Sequence, residues 1–531
     1  MKIFPKTIII ALIILLALFL RFYKLSSNPP GLYWDEAVFG YDAYSILKTA
    51  SDHHGRFLPL FFESFGDWKL PVYHYLLVPS IAVFGLNEFA VRSPSAFLGT
   101  LTVPLLYFLV KKLFSNGKSE SIALVVALFL AISPWHIQFS RGGFESTAGL
   151  FLAAAGFYLF LLGIEKSKIL FFTFSFLLFT LSMYSYHAYR IFTPLFLLSL
   201  AYLYRKEIKK HVGKVLIPLI IAFLLSIPLV KFTLSNQGRI RATSQSAFKL
   251  EEFQRGKIDF DQKSKKPFRF MSKYLFQKPI YFSYVAQKAY LDHFSPVFLF
   301  FRGDQIGRHS QVDMGQIYFF DAIFILAAFI FSKLDRPAKI MLAWLVIAPI
   351  PAIIVEPTPH AQRSLQMVIP LTYFSALGAY LLFKFLRLKF LKILLAAFCF
   401  FWLISFLHLL FGHYPKKFAA DWQDGYKQMV QKIKKHEGSF EKVYVTNINQ
   451  VPYIYLLFWG KYDPQRFIQL SGSRDYFDKY VFVSPEVNVY DKGRVLYVAP
   501  SWQKVDGIWL DAADDSTGRH IYSLWEVGEG L

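Results

Sequence analysis

The stretch VLIPLIIAFLLSIPLVKFTL, residues 215–234, decides the fold class because it is apolar along its length and has one charged side chain, Lys231. About 20 apolar residues in a helix cross a hydrocarbon core about 30 Å thick. Comparable apolar segments recur along the chain, at residues 8–20, 93–113, 121–138, 146–164, 169–186, 191–204, 316–332, 340–355, 364–383 and 393–411. Together they predict a polytopic α-helical membrane protein with about eleven transmembrane helices.

Two apolar segments need separate interpretation. Residues 8–20 follow Lys2 and Lys6 and run directly into Arg21, with no small-residue cleavage site, so they indicate an uncleaved first helix. Residues 71–86 are apolar but short and contain two prolines and a histidine. This pattern favours a helix that lies at the interface or re-enters the membrane over one that spans it.

The charge of the chain is better explained by membrane topology than by nucleic-acid binding. Lys and Arg number 58 against 36 Asp and Glu, a net charge of +22. The basic residues sit mostly in short loops between apolar segments and form no nucleic-acid motif, so we expect no nucleic-acid partner. Cys399 is the only cysteine, which excludes disulfides and cysteine-based metal sites.

Short basic loops fall on one side of the predicted membrane, at residues 111–118, 166–168, 205–214, 333–339 and 384–392. Because Lys and Arg are retained in the cytoplasm, this side and the N-terminus are predicted to be cytoplasmic, in the cell membrane. The opposite side receives the long loops and most polar motifs, at residues 21–92, 133–146, 184–191, 235–315 and 356–363, and the tail from 412.

The domain organisation follows from the same division. Residues 1–411 are predicted to form the transmembrane catalytic module, with outer loops at 21–92 and 235–315. Residues 412–531 are predicted to form a small extracytoplasmic α/β domain, for acceptor docking or simple packing. Its helix is expected at 421–437 and its strands at 443–445, 480–483 and 495–498.

The first motif with chemical potential is Asp35-Glu36, which follows the turn-rich stretch from Asn28 to Tyr33. Adjacent carboxylates near a membrane surface suit a general base. The alternative is structural, with Asp35 as the cap of a helix over 37–48.

Cationic side chains recur at the outer ends of the predicted helices. Lys69 precedes a helix that starts at Pro71, and Arg141 precedes two glycines. A Lys at a helix N-terminus opposes the macrodipole, which an anionic phosphate would explain. The alternatives are a snorkelling Lys69 and an i,i+4 ion pair of Arg141 with Glu145. Arg190 and Arg363 also lie at outer helix ends, so we predict that all four cations bind one anionic phosphate.

The motifs, taken in their order along the chain, resemble those of a known family. Their order is Asp35-Glu36, Lys69-Leu-Pro71-Val-Tyr73, the segment from Asn87 to Ser95 with Arg92 and Pro94, and Ser133-Pro134-Trp-His136 to Ser140-Arg141. This order resembles the GT-C membrane glycosyltransferases related to protein O-mannosyltransferases and to the lipid A aminoarabinose transferase. The resemblance covers about residues 8–385.

The resemblance implies a donor sugar carried on a polyprenyl phosphate. It implies that Asp35 is the general base, that Glu36 contacts the acceptor or orients the site, and that Lys69 and Arg141 hold the donor phosphate. Some relatives place a metal-associated acid directly before the lysine, where this chain has Trp68. The lone histidines also lack ligand spacing, so no metal site and no required cofactor are predicted.

We therefore predict a glycosyltransferase that moves a hexose or pentose from a polyprenyl phosphate to a hydroxyl of a protein, lipid or glycan acceptor by inverting displacement. Further polar residues at the outer helix ends are predicted to line the substrate: Tyr73, His136, Glu145, Tyr186, His187 and His360. The alternative is a transporter or flippase of lipid-linked sugars. That alternative predicts inverted repeats and charges at mid-membrane, which the sequence does not display.

The topology is testable with introduced cysteines. In a Cys399→Ala background, single cysteines in the loops at 133–146 or 235–315 should react with a membrane-impermeant thiol reagent in intact cells. A cysteine in the basic loop at 205–214 is the control and should react only after the cells are opened. The reverse pattern would contradict the predicted orientation.

Overall fold

The computed structural model describes residues 5–114, 119–239, 246–263, 277–448, 451–486 and 494–528. The chain divides into two compact units. Unit 1 comprises Met1–Ile14, Leu101–Gln138 and Gly149–Leu403. Unit 2 comprises Leu15–Thr100, Phe139–Ala148 and Ile404–Leu531.

The N-terminal part of the chain is almost entirely helical. Its helices are α1 (Lys6–Phe22), α2 (Trp34–Thr49), α3 (Pro71–Phe84), α4 (Glu88–Leu113), α5 (Ser119–Ile132), α6 (Pro134–Arg141), α7 (Glu145–Lys166), α8 (Ile169–Met183), α9 (Tyr189–Leu203), α10 (Arg205–Lys210) and α11 (Val212–Leu234). A short hairpin of β1 (Phe62–Ser64) and β2 (Asp67–Lys69) separates α2 from α3.

The remaining helices are α12 (Leu250–Lys263), α13 (Lys278–Asp292), α14 (Phe319–Phe331), α15 (Arg336–Ile347), α16 (Val368–Phe385), α17 (Lys389–His408), α18 (Tyr414–Lys417), α19 (Tyr426–His436), α20 (Pro452–Trp459) and α21 (Pro464–Gln469). All the apolar segments read from the sequence fall on helices. The helical membrane architecture is therefore confirmed.

Fewer helices than the predicted eleven are long enough to cross a membrane by themselves in the described part of the chain. Among the described residues, six helices are long and apolar enough to cross a membrane: Glu88–Leu113, Glu145–Lys166, Val212–Leu234, Arg336–Ile354, Leu365–Phe385 and Lys389–Lys417. A seventh crossing results if the segments Glu120–Ile132 and Pro134–Arg141, bent by 54° at Pro134, count as one span. Several other apolar helices are shorter, so the number eleven stays a prediction.

Within unit 1, small residues let helices approach closely. A Cβ on Gly378 of α16 would lie 1.7 Å from the carbonyl oxygen of Phe324 on α14, so only glycine fits there. On α15, the indole of Trp344 donates to the carbonyl of Gln366 at 2.7 Å. Helix packing in this unit therefore depends on backbone contact as well as on apolar side chains.

The C-terminal part of unit 2 contains a six-stranded sheet in the order β4-β5-β3-β6-β8-β7. The strands are β3 (Val443–Thr446), β4 (Tyr476–Phe477), β5 (Tyr480–Val483), β6 (Val495–Pro500), β7 (Ile508–Asp514) and β8 (His520–Val527). β3 runs parallel to β5 and β6, and the outer pairs are antiparallel. The predicted α/β fold of the tail and its three predicted strands are confirmed.

The tail also packs against α2. A Cβ on Gly40 of α2 would lie 2.5 Å from the ring of Phe458 on α20. Tyr455 of α20 donates its hydroxyl to the carbonyl of Leu32, just before α2. The C-terminal domain thus fixes the helix that carries the predicted acidic pair.

Candidate active site

The acidic pair lies in the first turn of α2, where the two carboxylates have different environments. Tyr33 is the N-cap of the helix, and the Glu36 side chain accepts a hydrogen bond from its backbone N–H at 3.1 Å, completing a capping box. Glu36, and not Asp35, therefore caps the helix. The structural alternative for Asp35 is wrong, because Asp35 stands one residue inside the helix with its side chain partly exposed.

Glu36 forms a buried, bidentate ion pair with Arg92 of α4. Arg92 Nε lies 2.9 Å from Glu36 Oε1, and Nη2 lies 3.0 Å from Oε2. The N–H of Gly143 also donates to Oε1 at 2.7 Å. Glu36 is 3% exposed and Arg92 is 0% exposed, so this carboxylate is enclosed by protein donors. Such a pair fits an orienting role for Glu36 better than contact with an acceptor.

The guanidinium of Arg92 also fixes the turn that precedes α2. It donates to the carbonyls of Leu25, Pro29 and Gly31, at 3.2, 2.8 and 2.5 Å. Gly31 has a positive φ of 55°, and a Cβ there would lie 2.5 Å from the carbonyl oxygen of Trp422. Arg92 belongs to one of the sequence motifs, but no role could be predicted for it because its partner is 56 residues away.

Lys69 approaches the other carboxylate of the pair. The β1–β2 hairpin turns at Phe65 and Gly66, both with positive φ, and pairs Phe62 with Lys69. Lys69 Nζ lies 3.2 Å from Asp35 Oδ1 and 3.5 Å from Asp67 Oδ2. Residues two apart on a strand share a face, which places Asp67 beside Lys69.

Burial differs sharply within this group. The Lys69 side chain is 7% exposed, whereas those of Asp35 and Asp67 are 29% and 28% exposed. Trp68, which lies between Asp67 and Lys69 in sequence, stacks under the guanidinium of Arg56 at 4.7 Å. The structure therefore places two partly exposed carboxylates, those of Asp35 and Asp67, at the buried Lys69 ammonium. An accessible carboxylate of this kind could accept a proton.

Arg141 has a different environment from the one predicted. Its guanidinium donates to three backbone carbonyls, those of Leu20 at 2.8 Å, Tyr23 at 2.8 Å and Asn28 at 2.6 Å. These three bonds occupy both terminal nitrogens of the guanidinium, Nη1 and Nη2. A phosphate clamp would require these bonds to break. Arg141 thus ties the end of α1 to the following turn, and its predicted role in binding the donor phosphate stays a prediction.

A segment of the tail supports the start of α2. The ring of Trp422 lies under the Arg92 guanidinium at 5.4 Å, and its indole donates to the Tyr414 hydroxyl at 2.7 Å. Gln423 Oε1 accepts a hydrogen bond from the backbone N–H of Trp34 at 2.9 Å. Trp422 and Gln423, just before α19, thus contribute packing and a hydrogen bond to the start of α2.

A second buried polar pair holds the loop after α2. His53 Nδ1 lies 2.6 Å from Asp42 Oδ1, and both side chains are 1% exposed. Burial raises the pKa of Asp42 to about 6, a rise that the nearby His74 opposes. Burial lowers the pKa of His53 to about 4, against the field of Asp52. This pair fastens the loop to the middle of α2, away from its first turn.

Two further candidates of unit 2 are buried. The Tyr73 hydroxyl donates to the carbonyl of Val91 at 2.8 Å, and its side chain is 0% exposed. Glu145 is the first residue of α7 and is also buried. Their predicted contact with substrate stays a prediction.

The remaining candidates lie in unit 1. Arg190 donates to the Thr233 hydroxyl at 3.1 Å, and Arg363 donates to the carbonyls of Val355 and Glu356 at 2.6 and 3.1 Å. The other predicted lining residues of this unit are His136 and Tyr186, both buried, His187, partly buried, and His360, buried. Their predicted roles also stay predictions.

No metal ligands were predicted from the sequence. Within the described ranges, one group of His and acidic side chains has its ligand atoms close enough to hold a metal ion, Asp304, His309 and His360, with all such atoms within 4.8 Å of one another. The group lies in unit 1. No local spacing motif joins these residues, since His360 is on a different segment of the chain, so sequence reasoning had little signal with which to find it.

The buried pair of Glu36 and Arg92 predicts a large stability effect. Glu36→Gln leaves the Arg92 charge buried without its counter-ion, which typically costs about 3–5 kcal/mol. The matched control is Asp478→Asn, because Asp478 pairs with Arg466 at 2.9 Å in an exposed position, where the loss should be about 0–1 kcal/mol. Thermal unfolding in detergent measures both. Equal losses in the two variants would contradict the structural role of Glu36.

Part of the chain matches a known protein family. Residues 69–231 match the family model of dolichyl-phosphate-mannose-protein mannosyltransferase. No curated protein matches the chain.

Solved structures share the fold at low sequence identity. ArnT from Cupriavidus metallidurans, bound to undecaprenyl phosphate, gives a TM-score of 0.56 at 12% identity and covers 97% of each chain. An oligosaccharyltransferase from Archaeoglobus fulgidus, tethered to an acceptor peptide, gives 0.52 at 12% identity, covering 86% of this chain and 63% of that chain. The archaeal oligosaccharyltransferase AglB from the same organism, with an inhibitory peptide and a dolichol-phosphate, gives 0.50 at 14% identity, covering 86% and 63%.

This chain thus spans less than two thirds of the archaeal enzyme and the full length of ArnT. The family match over residues 69–231 and the shared fold confirm the resemblance drawn from the motifs: this multi-pass membrane protein has the fold of the GT-C glycosyltransferases.

Proposed function

We propose that the protein transfers a sugar from a polyprenyl-phosphate donor to an acceptor hydroxyl at the outer face of the cell membrane, with Asp35 as general base. The observation that carries this proposal is the 3.2 Å contact between the partly exposed Asp35 carboxylate and the buried Lys69 ammonium. A base and a phosphate-binding cation thus meet in one site, which is the minimum that this chemistry needs.

The donor class is supported by Lys69 and by the matched structures. Lys69 lies two residues before Pro71, the first residue of α3, so its ammonium stands near a helix N-terminus, where an anion is favoured. The ArnT structure contains undecaprenyl phosphate and the AglB structure contains a dolichol-phosphate. A lipid-linked donor also explains why the enzyme is embedded in a bilayer.

The proposed reaction is a single displacement. Asp35 takes the proton of the acceptor hydroxyl while the oxygen of that hydroxyl attacks the anomeric carbon of the sugar. The bond between that carbon and the phosphate oxygen breaks, and polyprenyl phosphate leaves with the electron pair. Lys69 stabilises the negative charge that develops on the leaving phosphate, so no general acid is needed. Attack opposite to the leaving group inverts the anomeric configuration.

Lys69 links donor binding to activation of the base. Without donor, its ammonium is the counter-ion of both Asp35 and Asp67. The donor phosphate would compete for the same ammonium and free Asp35 to accept a proton. Glu36 and Arg92 act through the backbone, as positioning residues that hold α2 and the turn before it.

The proposal also includes further ligand-binding residues, the acceptor and the membrane topology. Arg141, Arg190 and Arg363 are proposed as further donor-phosphate ligands. The proposed substrate-lining residues are Tyr73, His136, Glu145, Tyr186, His187 and His360. The acceptor is proposed to be a hydroxyl of a protein, lipid or glycan. The N-terminus is proposed to be cytoplasmic and the C-terminal domain extracytoplasmic, as the distribution of Lys and Arg indicates.

Substitution of Asp35 tests the catalytic assignment. Asp35→Asn should lower turnover by about 10²–10⁴-fold, because the amide cannot accept the proton. Binding of undecaprenyl phosphate should be retained or strengthened, because Lys69 loses one competing carboxylate. Turnover is measured in membranes with a panel of labelled polyprenyl-phosphate hexoses and pentoses, using the sugar that the wild type transfers fastest.

Asp67→Asn is the matched control, since Asp67 has the same exposure as Asp35 and contacts the same ammonium. Its turnover should fall by less than about tenfold, as expected for the loss of a partly exposed ion pair. Wild-type turnover in Asp35→Asn, or an equal loss in Asp67→Asn, would refute Asp35 as the base.

A further inference from the structure

A cluster of three potential metal ligands, Asp304, His309 and His360, lies in unit 1. The proposed reaction gives no role to Asp304 or His309, whereas His360 is also a proposed substrate-lining residue. Asp304 Oδ2 lies 3.5 Å from His309 Nδ1 and 4.0 Å from His360 Nδ1. The two imidazole rings are 4.9 Å apart, centre to centre. All three side chains are at most 5% exposed, so the cluster is shielded from bulk water.

The backbone around Asp304 and His360 is held by hydrogen bonds. The Asp304 carboxylate accepts from the N–H of Ile306 at 2.9 Å and from that of Ala361 at 2.6 Å, which ties the two chain segments together. Next to the cluster, His293 Nε2 accepts from the N–H of His360 at 3.1 Å. Carboxylate ligands of metals commonly have such additional hydrogen bonds, which fix their orientation.

The backbone around His309 is held in the same way. The Gln316 side chain donates to the carbonyl of His309 at 3.1 Å, and the Ser310 hydroxyl donates to that of Arg302 at 3.1 Å. Gln316 is itself anchored, since its carbonyl accepts from the N–H of Trp135. Hydrogen bonds to the Asp304 carboxylate and to the backbone of His309 and His360 therefore hold the three potential ligands in place.

The donor set selects the kind of ion. Ca²⁺ and Mg²⁺ take oxygen ligands, whereas two imidazoles and one carboxylate suit zinc and similar transition metals. Zinc bonds of about 2.0–2.2 Å place tetrahedral ligand atoms about 3.3–3.5 Å apart. The distances of 3.5 and 4.0 Å from Asp304 require only small inward movements to reach that geometry.

We propose that Asp304, His309 and His360 bind one divalent transition-metal ion of the zinc class, which cross-links the segments 302–318 and 356–364. The ion would replace the long contact, 3.4 Å, between the N–H of Arg363 and His360 Nδ1. Three protein ligands leave at least one coordination position for water or another small ligand. The ion would also order the segment that carries Arg363.

Metal content tests the proposal directly. Tag-free, detergent-purified protein, stripped with chelator and then incubated with stoichiometric ZnCl₂ and desalted, should retain about one zinc per chain by mass spectrometry. Asp304→Asn, His309→Gln and His360→Gln should each reduce the retained zinc at least about fivefold, because loss of one ligand weakens a three-ligand site. The matched control is His520→Gln, since His520 pairs with Asp514 at 3.1 Å outside this cluster.

A second measurement covers variants that fail to fold. For the wild type alone, Zn²⁺ should raise the midpoint of thermal unfolding after chelation and Mg²⁺ should not, because an ion that binds only the folded state stabilises it. Co²⁺ should give visible d–d absorption that Zn²⁺ displaces. No retained zinc and no Zn²⁺-dependent stabilisation in the wild type would overturn the proposal, as would equal zinc in all variants. These readouts do not depend on Asp35, so the proposal can fail while the transferase assignment stands.

Discussion

The buried ion pair of Glu36 and Arg92 is the interaction on which the proposed active site depends. A charge in a low-dielectric interior is tolerated only when its partners satisfy it, and both groups here have several. Glu36 accepts from Arg92, Gly143 and the N-cap of α2. Arg92 donates in addition to the turn at Leu25–Gly31. The pair therefore positions the start of α2, the chain before it and the loop at Gly143 together.

The separation of roles within the acidic pair follows from this constraint. Adjacent residues on a helix point about 100° apart, so if Glu36 faces inward to Arg92, Asp35 faces another direction. Asp35 faces Lys69, which lies on β2 of the short β1–β2 hairpin. One carboxylate is thus structural and enclosed, while its neighbour keeps the exposure that a base needs. Arg141 adds support by binding the carbonyls of the chain between α1 and α2.

Local sequence pattern predicted those parts of the molecule that local physics determines. Apolar segments such as 215–234 gave the helices, and the strands at 443–445, 480–483 and 495–498 were visible as short apolar runs. Contacts between distant segments were not visible. Arg92 reaches Glu36 across 56 residues, and Asp304 meets Ala361 across 57. For Arg141, the sequence shows the charge of the guanidinium but not the backbone carbonyls that accept its hydrogen bonds.

The stereochemistry of the product tests the central claim most directly. If one base, Asp35, activates the acceptor opposite to a phosphate held by Lys69, the reaction has a single displacement and no covalent sugar–enzyme intermediate. The purified wild-type enzyme would be supplied with a polyprenyl-phosphate sugar of known anomeric configuration, and the configuration of the transferred sugar determined by NMR. The account predicts complete inversion, and retention of configuration would contradict it.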